Sequence, residues 1–574
     1  MATASTNSAN SGEWKKRSVV SSFLLRGGWR EDQAKPEIAL FERSDKVSTY
    51  RNHLAAISGT IDATDPSPLS AALREIREET TLAPPSILLF RQGKPFTFRD
   101  PSIRREWTIH PFLFQLQEQE KNPSQPGDNT SPNPHDGSVE SQIRIDWEHT
   151  RFLWLDPTQA VRDIETRRIT AVPRLEDSLR RVWFEADLGE PAGAVLRRGL
   201  AELANDHESG ANALARRALM ILWEVVAALE NAEVENDSVK GEWSWWWDRI
   251  RMAGWHLWKN GRESMGAAIL SALLGAMGRM EKAAQETGSV VSSSDAEKKQ
   301  TWKNLALREL DAFLQARNES SQLITTSFSA YLTRHFPTKL SSHDPLRVLT
   351  LSDSATIYSG LRHAALNTGF LLDLRVLESR PLYEGVSLAA ALANDLGSSS
   401  DTHGASQQHK VTLYTDASAA LAAAGVDIVV IGADRIAASG AVSNKTGSLP
   451  AVLAAKQVAP ASKVVVLGGT EKIAPPGRPE DHVVEDNDPK QVSRAWLEQY
   501  NSARVLKGAE TLQDHSVTRG QSAVSTKIHN IFFEWVPQHL IDAYITESGE
   551  WTQEHISHHS TKLAAEEEHI FAHL

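Results

Sequence analysis

The sequence predicts a multidomain protein: an α+β domain, then an α-helical domain, then an α/β domain built on a parallel sheet. Three observations predict it. The chain has 574 residues, too many for a single hydrophobic core. Its middle part exchanges short β-rich runs for long helix-periodic stretches. Beyond residue 345, five near-continuous apolar runs alternate with helical or loop segments, as strands buried on both faces require.

After a polar, disordered-looking start at residues 1–16, Arg17–Leu25 and Glu37–Glu42 read as strands, rich in β-formers and bounded by Gly and Pro. Pro68–Thr80 reads as a helix and Phe152–Leu155 as another strand. Residues 117–142, rich in Pro, Asn, Ser, Gly and Asp, read as an inserted loop. These elements place the first domain at residues 17–185. The helical domain, 193–336, is carried by segments such as Ala211–Leu229, Met265–Glu281 and Thr301–Ala316, with a Ser-rich break at Thr287–Lys298. The third domain, 345–550, takes its strands from Arg347–Thr350, Leu372–Leu377, Lys410–Tyr414, Asp427–Ile431 and Lys463–Leu467, the pattern of a doubly wound sheet. Residues 551–574 form a His-rich tail.

The net charge of −12 argues against a general nucleic-acid binder, because neutralising phosphates needs a surplus of Lys and Arg. A local basic pocket for a small phosphorylated ligand is compatible with it. No apolar run reaches the roughly 18 residues of a membrane span, and residues 1–16 lack the apolar stretch of a secretory signal. A cytoplasmic location with no membrane partner is expected. The chain has no cysteine, which removes disulfides, thiolate metal sites and any cysteine nucleophile.

The helix at Pro68–Thr80 carries Arg74, Glu75, Glu78 and Glu79. Residues three and four apart share a helical face, so Glu75, Glu78 and Glu79 can converge on one hard cation, Mg2+ or Mn2+. A charged helical face in solvent is the plainer reading of these residues alone. Their context adds weight: strands precede the helix, Gly59 stands at its entry, and the strand ending Trp154-Leu155-Asp156-Pro157 closes the region. Together they resemble the Nudix box, Gly-x5-Glu-x7-Arg-Glu-U-x-Glu-Glu-x-Gly-U, where U is a bulky aliphatic residue. Arg74-Glu75-Ile76-Arg77-Glu78-Glu79 and Leu82 match it. The resemblance implies an α+β Nudix fold and magnesium-dependent hydrolysis of a nucleoside diphosphate linked to another group, with Glu78 and Glu79 as metal ligands and Glu75 as third ligand or base. The sequence departs from the pattern in three places. The first Glu is missing, the spacing from Gly59 to Arg74 is one residue longer, and Thr81 stands where the family has Gly.

Ligands of parallel sheets bind beyond the carboxyl ends of the strands. Ser352 and Asp353 follow the first apolar run, Glu378, Ser379 and Arg380 the second, Asp416 the third, and Gly432, Ala433, Asp434 and Arg435 the fourth. Helix capping is the commoner role for an isolated Asp or Ser there, but four clusters at one edge suggest a pocket. Asp434 follows a strongly apolar strand that could desolvate it, which makes it the acid–base candidate. Leu377-Glu378-Ser379-Arg380-Pro381 with Glu384-Gly385, Gly432-Ala433-Asp434-Arg435 and Asn444-Lys445-Thr446-Gly447 resemble motifs of the family formed by the regulatory subunits of translation initiation factor 2B and their sugar-phosphate isomerase relatives. Ser209-Gly210-Ala211, Arg262-Glu263-Ser264-Met265 and Phe533-Glu534-Trp535-Val536-Pro537 follow in the expected order.

This resemblance implies a helical domain, a Rossmann-like domain, assembly into homo-oligomers through the C-terminal half, and a sugar-phosphate pocket. Asp434 and Ser352 would be its catalytic positions, and Arg262, Arg380, Asn444, Lys445 and Gly432 its ligand-binding ones. The isomerases of the family use a Cys and an Asp; Ser352 occupies the Cys position. A serine hydroxyl is far less acidic than a thiol, which puts the ordinary isomerase mechanism in question but not sugar-phosphate binding. The leading reading is a Nudix-type hydrolase fused to a sugar-phosphate-binding module. The alternative is a non-catalytic regulatory or scaffold protein, translation-related. Of seven tryptophans between Trp223 and Trp258, a buried helical interface is the better reading than a base-stacking platform in so acidic a chain.

Overall fold

The computed structural model describes residues 14–28, 34–117, 143–207, 209–229, 243–288, 295–342, 344–397, 408–479, 485–497, 503–517, 526–572 and 574. Two compact units divide the chain, one of residues 1–200, 224–260 and 573–574, the other of residues 201–223 and 261–572.

The N-terminal unit is organised by alternation along its first strand. Strands β1 (Lys15–Arg26), β2 (Glu37–Arg43), β3 (Leu54–Ala55), β4 (Ile57–Thr60), β5 (Ile87–Gln92), β6 (Phe96–Asp100), β7 (Arg105–Leu116) and β8 (His149–Leu155) form one mixed sheet, in which β1 runs parallel to β7 and antiparallel to β2 and β4. Successive strand residues point to opposite faces. Val20 and Leu24 therefore pack against Ala71, Ala72 and Ile76 of helix α1 (Pro68–Thr80), while Phe23 and Leu25 pack against Val161, Leu175 and Leu179 of the helices Pro157–Glu165 and Leu175–Val182. Helix α1 has the boundaries predicted. Ser67 caps it by accepting a hydrogen bond from the Ser70 N–H at 3.1 Å, with Pro68 at its first turn. It ends at Thr81, which takes the left-handed conformation at φ 63°.

In the C-terminal unit the strands β9 (Leu346–Leu351), β10 (Leu372–Leu377), β11 (Lys410–Tyr414), β12 (Ile428–Ile431), β13 (Arg435–Ile436), β14 (Val442–Lys445), β15 (Lys463–Leu467), β16 (Phe533–Val536), β17 (Ala543–Thr546) and β18 (Gly549–Trp551) make two sheets. The larger has the order β11-β10-β9-β12-β15-β17-β18, parallel throughout except for the β17–β18 pair. The smaller is β13-β14-β16. The parallel sheet was read correctly because both its faces are covered. Val348 and Val430 face the core shared with Phe328 and Leu361, and Leu349 and Ile431 face the core shared with Val452 and Ile556.

Several boundaries differ from the sequence reading. Strand β1 begins at Lys15, inside the stretch read as disordered; residues 1–13 and 118–142 lie outside the described residues. The helix expected at Thr301–Ala316 is part of one running Asp295–His335, carried on by Phe328, Tyr331 and Leu332 packing into the sheet core. The helix expected at Met265–Glu281 extends to Gly288. The His-rich tail contains a helix, Gln553–Ile570, anchored by buried Ile556, Leu563 and Ile570. Helix Trp243–Lys259 buries Trp245, Trp246 and Trp255, as a packed helix face requires. Among the described residues, no helix is long and apolar enough to cross a membrane.

Candidate functional sites

In the N-terminal unit, α1 lays the Glu75 carboxylate against β4. A Cβ added to Gly59 would stand 1.9 Å from the Glu75 carboxylate, so only glycine lets that side chain lie against β4. Arg74 fixes the local geometry. Its guanidinium contacts Glu75 at 2.7 Å, Glu78 at 3.3 Å and Asp65 at 2.9 Å, and donates to the Thr60 carbonyl at 3.0 Å. Asp65 stands near the place of the missing first Glu of the box, and the structure gives it the role of holding Arg74.

Glu78 is exposed, whereas Glu79 is 5% exposed, and its Oε2 has no hydrogen-bond partner. Burial above all, then the charges of Glu148, Glu75 and Asp146, pushes the Glu79 carboxyl up to about 9. Burial likewise raises Glu75 and Glu148. His149 lies against the same group, its Nδ1 at 3.6 Å from Glu79 Oε2, and burial lowers its pKa.

The three expected ligands are therefore not gathered together. Among the described residues no three His, Asp or Glu side chains are placed to hold a metal. Glu75 and Glu79 face Glu148, and Glu78 turns to Arg74. The donors nonetheless suit a hard divalent cation: carboxylates that repel one another, one buried oxygen without a partner, and a glycine that clears their approach. Glu148 was missed in the sequence, although the acidic pair Asp146 and Glu148 directly before β8 was a usable signal. A cavity of about 210 Å3 opens beside this cluster, bordered by Gly59 and Glu148.

In the C-terminal unit, β9–β10–β11 run outward in one direction and β12–β15 in the other, so the chain reverses between β9 and β12. Such a switch point opens a crevice at the strands' carboxyl ends. The register places Leu351 beside Leu377, and Leu377 beside Tyr414, so the predicted clusters emerge at one edge. Ser352 and Ser379 both take left-handed backbone, at φ 66° and 62°. The Ser352 N–H donates to Ser379 Oγ at 2.7 Å, and Asp416 accepts the N–H groups of Ser379 and Arg380 at 2.9 and 2.8 Å.

Across the switch point, Gly432 stands close to Asn444. A Cβ at Gly432 would meet Asn444 Oδ1 at 3.3 Å and Ser354 Oγ at 3.7 Å. Asn444 is held by its Nδ2 donating to Ser448 Oγ at 2.8 Å. Lys445 is 9% exposed, pairs with Glu384 at 2.8 Å, and lies over the rings of Phe532 and Phe533 at 4.8 and 5.2 Å. Arg262, also buried, pairs with Glu485 at 3.1 Å and donates to the Asp206 carbonyl. Burial pushes the Asp434 carboxyl up, against the opposing charges of Lys472, Lys445 and Arg262.

The structure thus joins Asp434, Lys445 and Arg262 in one electrostatic cluster and packs Gly432 with Asn444. Ser352 sits at the neighbouring strand end, bonded to Ser379. Arg380 is exposed, with its guanidinium 5.7 Å from the Tyr383 ring. Lys472 and Glu485 were missed, and Glu384, though part of a quoted motif, was not singled out as the partner of Lys445. Lys472 follows β15, the fifth apolar run, and the rule applied to the other four strand ends would have found it.

The two architectures correspond to two known families. The chain belongs to the Initiation factor 2 subunit family, whose family model matches residues 208–553. A NUDIX domain precedes it, matched over residues 17–174. Curated relatives match part of the chain. Methylthioribose-1-phosphate isomerase of Parabacteroides distasonis is 32% identical over 178 residues, 30% of this chain and 42% of the relative. Methylthioribose-1-phosphate isomerase of Syntrophotalea carbinolica is 28% identical over 265 residues, 43% of this chain and 65% of the relative. The chain spans less than two thirds of the length of each. Among solved structures, 5-methylthioribose 1-phosphate isomerase of Pyrococcus horikoshii OT3 matches at 19% identity and TM-score 0.40, over 65% of this chain and 87% of that one.

Proposed function

We propose that the N-terminal unit is a divalent-cation-dependent hydrolase of a nucleoside-diphosphate-linked compound, and that the C-terminal unit binds a small sugar phosphate at its switch point. The observation supporting the first part is the partnerless, buried Glu79 Oε2 beside Glu75 and Glu148. Drawn together from their present placement, Glu75, Glu79 and Glu148 would hold Mg2+ or Mn2+, with Glu78 joining them on release from Arg74. When bound, the cation supplies Lewis acidity at the diphosphate. Glu75, raised by burial and kept in place by Arg74, is also the candidate base.

In the C-terminal unit, Lys445, Asn444 and Gly432 would contact the phosphorylated ligand beside Arg262, with Arg380 at the rim. Asp434 would exchange a proton with the sugar, and Ser352 would orient it. A second reading, a regulatory module that senses or scaffolds without turnover, is favoured by Ser352 and by the carboxylates that already pair Lys445 and Arg262. In either case self-association through the C-terminal half and a cytoplasmic location are proposed. Thermal stabilisation of the full chain by a panel of nucleoside-diphosphate and pentose-phosphate compounds tests the assignment, because a ligand that binds only the native state raises Tm with concentration. Stabilisation by members of both classes is expected; stabilisation by neither class contradicts it.

A further inference from the structure

We propose that the cavity on the sheet face opposite α1 holds a flat aromatic ring against Phe98 and Trp107, and that these two residues determine which diphosphate the N-terminal unit takes; this rests on the hydrolase reading above. Phe98 and Trp107 are directly opposed in the antiparallel β6–β7 pair, and Val19 of β1 lies beside Ile109 in the parallel β1–β7 pair. Directly opposed residues, and those two apart, share a face. All four side chains therefore form one apolar wall, and all four line the cavity of about 210 Å3.

This wall is not part of the folded core. The core on that face of the sheet is built from Phe23, Leu25, Leu113 and Leu179, and all four wall residues stand outside it, half-buried. Val172 and Pro173 also line the cavity. A cavity lined by an aromatic pair and further apolar side chains accepts a flat ring and gains from its burial.

The polar groups collect elsewhere around the slot. Arg43, Ser58 and Glu148 border it, and Gly59 is the point where Glu75 rests on the strand. Tyr50 is fixed on the rim by donating its hydroxyl hydrogen bond to Asp100. A diphosphate reaching the carboxylates at β4 would thus place an attached ring on the wall. A sugar placed there would lose its water hydrogen bonds without replacement by these side chains.

The test is calorimetry on the full chain, with Mn2+ alone and then with ADP-ribose or geranyl diphosphate in the presence of Mn2+. Wild type is expected to bind ADP-ribose more tightly than geranyl diphosphate. Trp107→Ala and Phe98→Ala should each weaken ADP-ribose by roughly tenfold, in line with the loss of one base–aromatic stack. Trp107→Phe should retain affinity within about threefold, since the ring is kept. In hydrolysis the Ala variants should raise KM far more than they lower kcat, as for a contact made equally in ground and transition states. If Mn2+ fails to bind but ADP-ribose still distinguishes the variants, the hydrolase reading falls and the pocket stands. If Mn2+ binds, yet ADP-ribose is not bound, is bound equally by all variants, or is bound less tightly than geranyl diphosphate, the pocket assignment is overturned.

Discussion

Loading the N-terminal unit with a divalent cation should release a proton, and the amount follows from Glu79. Its carboxyl is pushed from the ordinary 4.5 up to about 9, first by burial and then by Glu148, Glu75 and Asp146. A raised pKa means that the cation-free fold keeps the proton at neutral pH. The stability contributed by the protonated group is fully present below the unfolded value near 4.5 and is lost as pH rises through about 9. Cation binding needs the carboxylate, so it must expel the proton. Between pH 6 and 8 the affinity for Mg2+ should therefore rise about tenfold per pH unit, in all about 3 kcal/mol at 1.36 kcal/mol per unit. Titration calorimetry in buffers of different ionisation enthalpy counts the protons directly. About one proton per Mg2+ is expected near pH 7 for the wild type. Glu79→Gln should release none and bind Mg2+ more weakly. Equal affinity at pH 6 and pH 8, or equal binding by the variant, would refute the assignment of Glu79.

Six further outcomes are expected. Gly59→Ala should displace Glu75 from β4 and weaken Mn2+ binding by more than about tenfold in calorimetry, because the added Cβ would lie 1.9 Å from its carboxylate. Thr81→Gly should stabilise the N-terminal unit by about 1 kcal/mol in urea unfolding, since a β-branched residue is held at φ 63° where glycine is unstrained. Lys445→Ala should weaken pentose-phosphate binding by about 1.5–3 kcal/mol in calorimetry, while the nearly isosteric Asp434→Asn leaves binding largely intact and abolishes any turnover; Ser352→Cys should raise turnover if the site is catalytic. Light scattering at micromolar concentration should give a mass of at least a dimer, the commonest oligomer.

The fold was legible where burial writes a pattern into the sequence. Leu372–Leu377, Lys410–Tyr414 and Lys463–Leu467 are strands with the bounds expected; Lys463–Leu467 is the plainest, because a strand covered on both faces must be almost wholly apolar, whereas Lys410–Tyr414, at the edge of the sheet, is only partly buried. Helix α1 was equally plain, from Ser67 and Pro68 at its start to the end of its apolar period. The helix Asp295–His335 was not, because polar Asn318 to Ser321 resemble a terminus when the core that holds Phe328 is unseen.

The sites divide in the same way. Residues within one motif, such as Glu75 and Glu79 or Asn444 and Lys445, could be found by spacing. Glu148 reaches α1 from the segment just before β8, and Glu485 reaches Arg262 across 223 residues in sequence. Partners of that kind are set by topology, and their types alone, one Glu among many, do not distinguish them. The pairing of Lys445 with Glu384 and of Arg262 with Glu485 also changes what the motif implies. A phosphorylated ligand at Lys445 or Arg262 would have to compete with these carboxylates.

The most direct measurement is steady-state hydrolysis of nucleoside-diphosphate-linked compounds by the full chain with Mg2+ or Mn2+, wild type against Glu79→Gln and Glu148→Gln. Cation-dependent cleavage of the diphosphate by the wild type is predicted, with kcat lowered about a hundredfold or more in both variants, as for loss of a group that stabilises charge in the transition state. Absence of cleavage for every such compound, or cleavage unchanged by both substitutions, would contradict it.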